Sequence, residues 1–258
     1  MLDRAKEIID DIARETDEII LMHSMSGKDS IVLMDLVYPK FRRVVVCFMY
    51  IVPNMRHIRR YFLFVKRRYP NVELIQVPHY TLFSYRKYGF QGMRGNPNQR
   101  YWRFTEIVGK VREKVGIEWC CVGFKQADSL NRRLMLRSYK DGKMAISWKG
   151  KMFYPLSTYK NRDCMEYIAE NRLKSPEWSN KKEVTSGDDI IDYHYLKFLE
   201  RDFPDDLELI YSQFPATRVI IPKWEAEEAE RKAQKEAQKE LKRLSRMKGV
   251  KVYTEEET

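Results

Sequence analysis

The sequence predicts an α/β fold: a doubly wound, mainly parallel sheet with helices on both faces, followed by a C-terminal helical extension. Three observations carry that prediction. Short β-branched apolar runs, such as "VVVCFM" at residues 44–49, alternate with stretches whose apolar residues recur at helical spacing. Strand–helix alternation of this kind argues for parallel strands joined by crossover helices. A chain of 258 residues, 43% hydrophobic and 13% aromatic, carries enough apolar surface to cover both faces of such a sheet.

Leu2, Ala5, Ile8, Ile9 and Ile12 fall on one helical face, so the chain opens with an amphipathic helix. Residues 19–22 read as a short buried strand. Residues 31–37 are apolar nearly all round, as expected of a helix that begins near Lys28 and packs against a sheet. The run at 44–49 suits a central parallel strand, and the helix after it places Ile58, Tyr61, Phe62, Val65 and Tyr69 on one side. Residues 72–77 form the next strand, closed by Pro78. Residues 84–99, "SYRKYGFQGMRGNPNQ", show no periodicity and read as a long loop of the binding or lid kind. A helix at 101–115, a strand at 118–123 and a helix at 127–138 follow. Helical stretches at 190–201 and 207–214 are expected to cover the sheet edge. Beyond Pro222, Ala226, Ala229, Ala233, Ala237, Leu241 and Leu244 form the apolar stripe of a helix with acids early and bases late, as its dipole favours. The expected divisions are an α/β domain over 1–180, a helical segment over 181–221 and a charged helix and tail over 222–258.

A formal net charge of +11 points to an anionic partner: a phosphorylated metabolite, a nucleic acid or both. Bases gather at 56–70 and 131–143; in the first they share a helix with Tyr61, Phe62 and Tyr69, and a solvated helix face explains that cluster equally well. The four cysteines include no CxxC pair and the four histidines are scattered, so neither zinc nor an iron–sulfur cluster is expected. No apolar run approaches the roughly 18 residues of a membrane span, and the charged amphipathic start is unlike a secretory leader. The expected location is the cytoplasm, without membrane contact. The C-terminal helix is read either as a surface for a homo-oligomer or a partner protein or as a lone solvated helix.

The chemistry concentrates at "HSMSGKDS", residues 23–30, between the first strand and the second helix. Small residues let backbone N–H groups approach a phosphate, and a helix N-terminus adds unpaired amides and partial positive charge. Lys28 adds a full charge; Ser24, Ser26 and Ser30 supply hydroxyls; Asp29 is a candidate to hold magnesium or to orient a donor. Simple helix capping by Ser26 or Asp29 is the competing explanation. A Walker A loop is excluded, because Met22 stands where its first glycine belongs and Asp29 where its hydroxyl residue belongs.

The stretch resembles the PP-loop, SGGKDS, of the adenine nucleotide alpha-hydrolase-like superfamily, with Gly27, Lys28, Asp29 and Ser30 matching its last four positions. "GFKQADSLNRR" resembles the G-x-R-x-x-E-S-x-x-R signature of the phosphoadenylyl-sulfate (PAPS) reductase and ATP sulfurylase branch. Gly123, Ser129 and Arg132 match it, with Lys125 for its arginine and Asp128 for its glutamate. "YPLSTYKNRDCMEYIAENRL" is similar to a third stretch of that branch through Pro155, Leu156, Asp163, Tyr167 and Ile168, with Tyr159 for its tryptophan. No cysteine follows Cys164, so the C-terminal catalytic cysteine of the thiol-dependent reductases is missing.

The resemblance implies a Rossmann-like nucleotide-binding enzyme that takes ATP or an adenylyl-sulfate-type nucleotide and acts at the alpha phosphate, with magnesium near Asp29. It implies nucleotide contacts from Ser24, Ser26, Gly27, Lys28, Asp29, Ser30, Met49, Gly123, Lys125, Asp128, Ser129 and Arg132. Lys28 and Arg132 would be the catalytic cations, and Met49 would lie near adenine. Such catalysis is mostly positioning and electrostatics. The alternative is a nucleotide-dependent protein that binds or modifies nucleic acid through its basic surface.

Overall fold

The central strands of the sheet are apolar on both sides, and two separate cores close over them. In the computed structural model, which describes residues 2–24, 27–90, 92–174 and 190–247, the first strand is β1 (Glu18–Ser24). It pairs in parallel with β2 (Arg43–Tyr50), and β2 with β3 (Val72–Pro78). On its other side β1 pairs in parallel with β6 (Cys120–Val122). The two-residue strands β7 (Ile146–Ser147) and β8 (Met152–Phe153) complete the six-stranded order β3-β2-β1-β6-β8-β7, with β7 alone antiparallel. A separate hairpin joins β4 (Gly89–Phe90) to β5 (Met93–Arg94).

Alternation along each strand decides which core a side chain joins. Ile19, Leu21, Val44, Val46 and Phe48 face α1 (Asp3–Ala13), α2 (Lys28–Val37), α3 (Arg59–Arg68) and α7 (Asn161–Glu170). Ile20, Met22, Val45, Cys47 and Met49 face the other way, toward α5 (Phe104–Val115) and α6 (Leu130–Arg137), with Tyr80 and Phe83 of α4 (Tyr80–Tyr88) packed alongside. The doubly wound α/β architecture is therefore present. Helix α2 is buried nearly all round, from Ser30 to Val37 except Asp35, because it lies against β1 beneath α7.

Helices α8 (Tyr193–Asp202) and α9 (Pro204–Gln213) contribute Tyr195, Leu196, Leu199, Leu207 and Ile210 to the first core. Helix α10 (Ile220–Met247) follows. It is anchored where Trp224 stacks on Tyr193 at 3.7 Å, and it is exposed from Ala229 to Leu244. The expected boundary at 180/181 lies outside the described residues.

Three local expectations are corrected. Residues 84–99 are not one loop: α4 runs to Tyr88 and the hairpin follows, held by Gly95, where a Cβ would come within 2.3 Å of the Lys87 carbonyl oxygen. Helix α5 begins at Phe104 and α6 at Leu130, each three residues later than the periodicity suggests. Strands β7 and β8 are too short to show any periodicity.

Candidate functional site

The chain reverses its direction of sheet building at β1, whose neighbours are the next strand β2 on one side and the distant β6 on the other. Carboxyl ends of strands at such a switch point form the crevice where open α/β sheets take ligands. Here the loops leaving β1 and β6 meet. Gly123, directly after β6, lies against the start of α2, and a Cβ there would sit 3.2 Å from that of Asp29.

Gly27 is the N-cap of α2 and makes no side-chain cap. Its carbonyl accepts from the amides of Ser30 and Ile31 at 3.0 and 3.2 Å, and the amides of Lys28 and Asp29 have no partner among the described residues. An alanine at 27 would place its Cβ 2.0 Å from the Ser24 hydroxyl oxygen, so that hydroxyl would have to turn away. The Ser30 hydroxyl is buried and accepts from the Ser24 amide at 3.4 Å. Ser26 lies outside the described residues.

From Lys28 a line of alternating charge crosses between the loops. The Lys28 ammonium is 3.9 Å from Asp29 Oδ2, and that oxygen also holds the Lys125 ammonium. Lys125 reaches Asp128 Oδ1 at 3.1 Å, and Asp128 Oδ2 accepts from Arg132 at 2.7 Å. The Arg132 guanidinium lies 4.1 Å over the Phe124 ring. Burial pushes Lys125 toward the neutral form, but Asp29 and Asp128 outweigh it and raise its pKa. Burial likewise opposes the charge on Asp128, yet the Lys125 amide and ammonium, with Arg132, hold its carboxyl below the usual range.

Structure thus brings Lys28, Asp29, Gly123, Lys125, Asp128 and Arg132 together and gives them unequal access. Lys125 has a side chain only 1% exposed, its ammonium already engaged by two carboxylates, whereas Lys28 and Arg132 are 22% and 35% exposed. Ser129 caps α6 by accepting from the Arg132 amide at 3.2 Å. Met49 stands beside Ser24 in the β1–β2 register, buried in the second core.

Sequence reasoning missed the groups behind this line. Cys164 is fully buried, and its thiol, pushed up chiefly by burial, sits at the Asp29 carboxylate. The hydroxyls of Tyr167 and Tyr69 donate to the two oxygens of Asp35 at 3.0 Å each, tying α7 and α3 to the back of α2. The Gln126 amide donates to the Ser157 carbonyl at 2.8 Å, joining the second and third motif segments. The match of Asp163 and Tyr167 on either side of Cys164 was the available signal.

The residues do not fit magnesium at Asp29, which corrects that expectation. Its Oδ2 is on the Lys125 ammonium and its Oδ1 is buried. Among the described residues, no group of three or more His, Cys, Asp or Glu is arranged to hold a metal ion.

No protein-family model matches the chain, and no curated protein matches it. Among solved structures, it is similar to an NH3-dependent NAD synthetase from Campylobacter jejuni, in complex with nitrate. That likeness has a TM-score of 0.44 and 11% identity, over 85% of this chain and 92% of the other. It is also similar to the U34-tRNA thiolase NcsA from Methanococcus maripaludis, with a TM-score of 0.40 and 12% identity, over 86% of this chain and 76% of the other. The thiolase is described with a [4Fe-4S] cluster, and the expectation that excluded such clusters is corrected on that finding. In this chain all four thiols are buried, with Cys120 and Cys121 on opposite faces of the sheet. No described helix is long and apolar enough to cross a membrane.

Proposed function

We propose that the chain is a PP-loop nucleotide enzyme that takes ATP or an adenylyl-sulfate-type nucleotide at the crevice between β1 and β6 and cleaves or forms a bond at the alpha phosphorus. One observation carries the reading. A glycine-capped helix start, with the Lys28 and Asp29 amides unpartnered among the described residues, lies at the switch point beside the partly exposed Lys28 ammonium.

In this reading the amides and Lys28 hold the polyphosphate or sulfate leaving group, and Arg132 offsets charge developing at the alpha phosphate. Lys125, Asp29 and Asp128 act as the buried ionic frame that fixes both cations in place. An acceptor attacks the alpha phosphorus, its bond to the bridging oxygen breaks, and the leaving anion departs with that electron pair.

The test is product analysis with ATP labelled separately at the alpha and gamma phosphates, supplied as its magnesium salt, and in parallel with adenylyl sulfate. Release of AMP with pyrophosphate, or of AMP with sulfate, is the expected outcome. ADP with inorganic phosphate, or no nucleotide binding by calorimetry, contradicts the reading.

A further inference from the structure

The segment over residues 84–103 contains Arg86, Lys87, Arg94, Arg100 and Arg103 but no acidic residue, interleaved with Tyr85, Tyr88, Phe90, Tyr101 and Trp102. Its backbone is tightly built. Gly95 packs onto the last turn of α4, and Asn96 donates to the Arg86 carbonyl at 2.8 Å. Arg86, Arg94, Arg100 and Arg103 are all exposed, and Arg86 and Arg94 form no ion pair with a described residue. Tyr88 is 70% exposed, with the Tyr101 ring 6.0 Å away and the Lys87 ammonium over its face at 6.0 Å. Arg100 lies 3.9 Å over the Trp102 ring. A cavity of about 360 Å³ in the same segment is lined by Tyr85, Arg86, Phe90, Arg94 and Phe214, among others.

Exposed rings are costly to leave in water, and unpaired cations beside them favour a ligand that is both planar and anionic. We infer that this surface binds single-stranded nucleic acid, the bases stacking on Tyr88 and Tyr101 and the phosphates pairing with Arg86, Lys87 and Arg94. A duplex keeps its bases stacked on one another and cannot use the rings. Behind it, the Phe83 and Trp102 ring centroids are 6.3 Å apart and those of Phe104 and Phe124 5.4 Å apart, packed against the second core. The inference does not depend on the nucleotide chemistry proposed above.

Fluorescence anisotropy with labelled oligo-uridylate and oligo-deoxythymidylate 20-mers, each with its duplex, tests it on the full chain. Single strands are expected to bind at least tenfold more tightly than duplexes. With about three phosphates neutralised, the slope of log affinity against log salt is about −2. Tyr88→Ala is expected to weaken binding about fivefold or more, and Arg86→Ala with Arg94→Ala by a similar factor and with a shallower salt slope. Circular dichroism melts check that these exposed substitutions leave the fold intact. Equal affinity for duplex or heparin, or wild-type affinity in Tyr88→Ala, overturns the inference. Lys28→Ala is expected to leave this binding unchanged and Tyr88→Ala to leave nucleotide binding unchanged, so the two readings fail separately.

Discussion

Lys28 and Lys125 belong to the same line of charges, yet their surroundings assign them opposite tasks. Lys28 is partly exposed and 3.9 Å from its carboxylate, so Lys28→Ala is expected to change stability by less than about 1 kcal/mol. Its loss should appear in ligand binding, with nucleotide affinity falling about tenfold or more by calorimetry; unchanged affinity would remove Lys28 from its proposed role. Lys125 is buried between Asp29 and Asp128, and Lys125→Met leaves two carboxylates facing one another without their shared cation. Breaking such a buried set costs about 3–5 kcal/mol, read as a lowered urea midpoint. A midpoint shift below about 1 kcal/mol would mean that Lys125 is no ionic frame. The sequence made both lysines visible as bases near a loop. It could not distinguish them, because burial depends on which segments close over each side chain.

At the scale of elements, β1 and α4 each carry a histidine held neutral. His23, at the end of β1, is fully buried with Nε2 2.8 Å from the Tyr61 hydroxyl, and burial lowers its pKa to about 4. His79 caps α4 by accepting from the Thr81 amide at 3.2 Å, and burial lowers its pKa to about 4 as well. Because the folded chain resists protonation while the unfolded chain accepts it below about 6.5, stability is complete above that pH and declines toward about 4. At pH 5 each histidine is expected to cost about 2 kcal/mol. Urea melts between pH 7 and 4.5 check this; a flat profile would mean that one or both rings become solvated. Sequence periodicity identified β1 and β2 because their side chains are buried on both faces, and the edge strand β3 because its apolar residues are flanked by Pro78. It missed α4 and the hairpin: Leu82 alone is fully buried in α4, while Tyr80 and Phe83 pack on one core and Tyr85 on the other, so no single apolar face stands out.

Across the whole molecule, a contact between residues 149 positions apart ties the helical cover to the sheet. Asp206, at the start of α9, accepts from the Arg56 amide at 2.7 Å, the His57 amide at 2.9 Å and the His57 ring at 2.8 Å. Burial opposes its charge, but these donors hold its carboxyl below the ordinary range. Asp206→Ala leaves buried donors without an acceptor and is expected to cost about 3–5 kcal/mol. Hydrogen exchange should speed up in α8 and α9 before β1 and α2; uniform loss of protection would show that the cover and sheet open as one. As pH falls below the ordinary carboxylate range and through its depressed value, this clasp is lost. Helix α10 spans about 42 Å and ends with Leu241 and Leu244 exposed, beyond its anchor at Trp224.

By itself the sequence determined the alternation of buried strands and amphipathic helices, and the small, charged turn after the first strand. Both follow from local chemistry: side-chain period and backbone permissiveness act over a few residues. Only the tertiary structure decided that Gly123 meets Asp29, that Lys125 is enclosed while Lys28 and Arg132 face outward, and that Asp206 reaches His57. These outcomes depend on strand order and on contacts between distant segments, where burial determines whether a charge becomes part of the frame or remains available to a ligand.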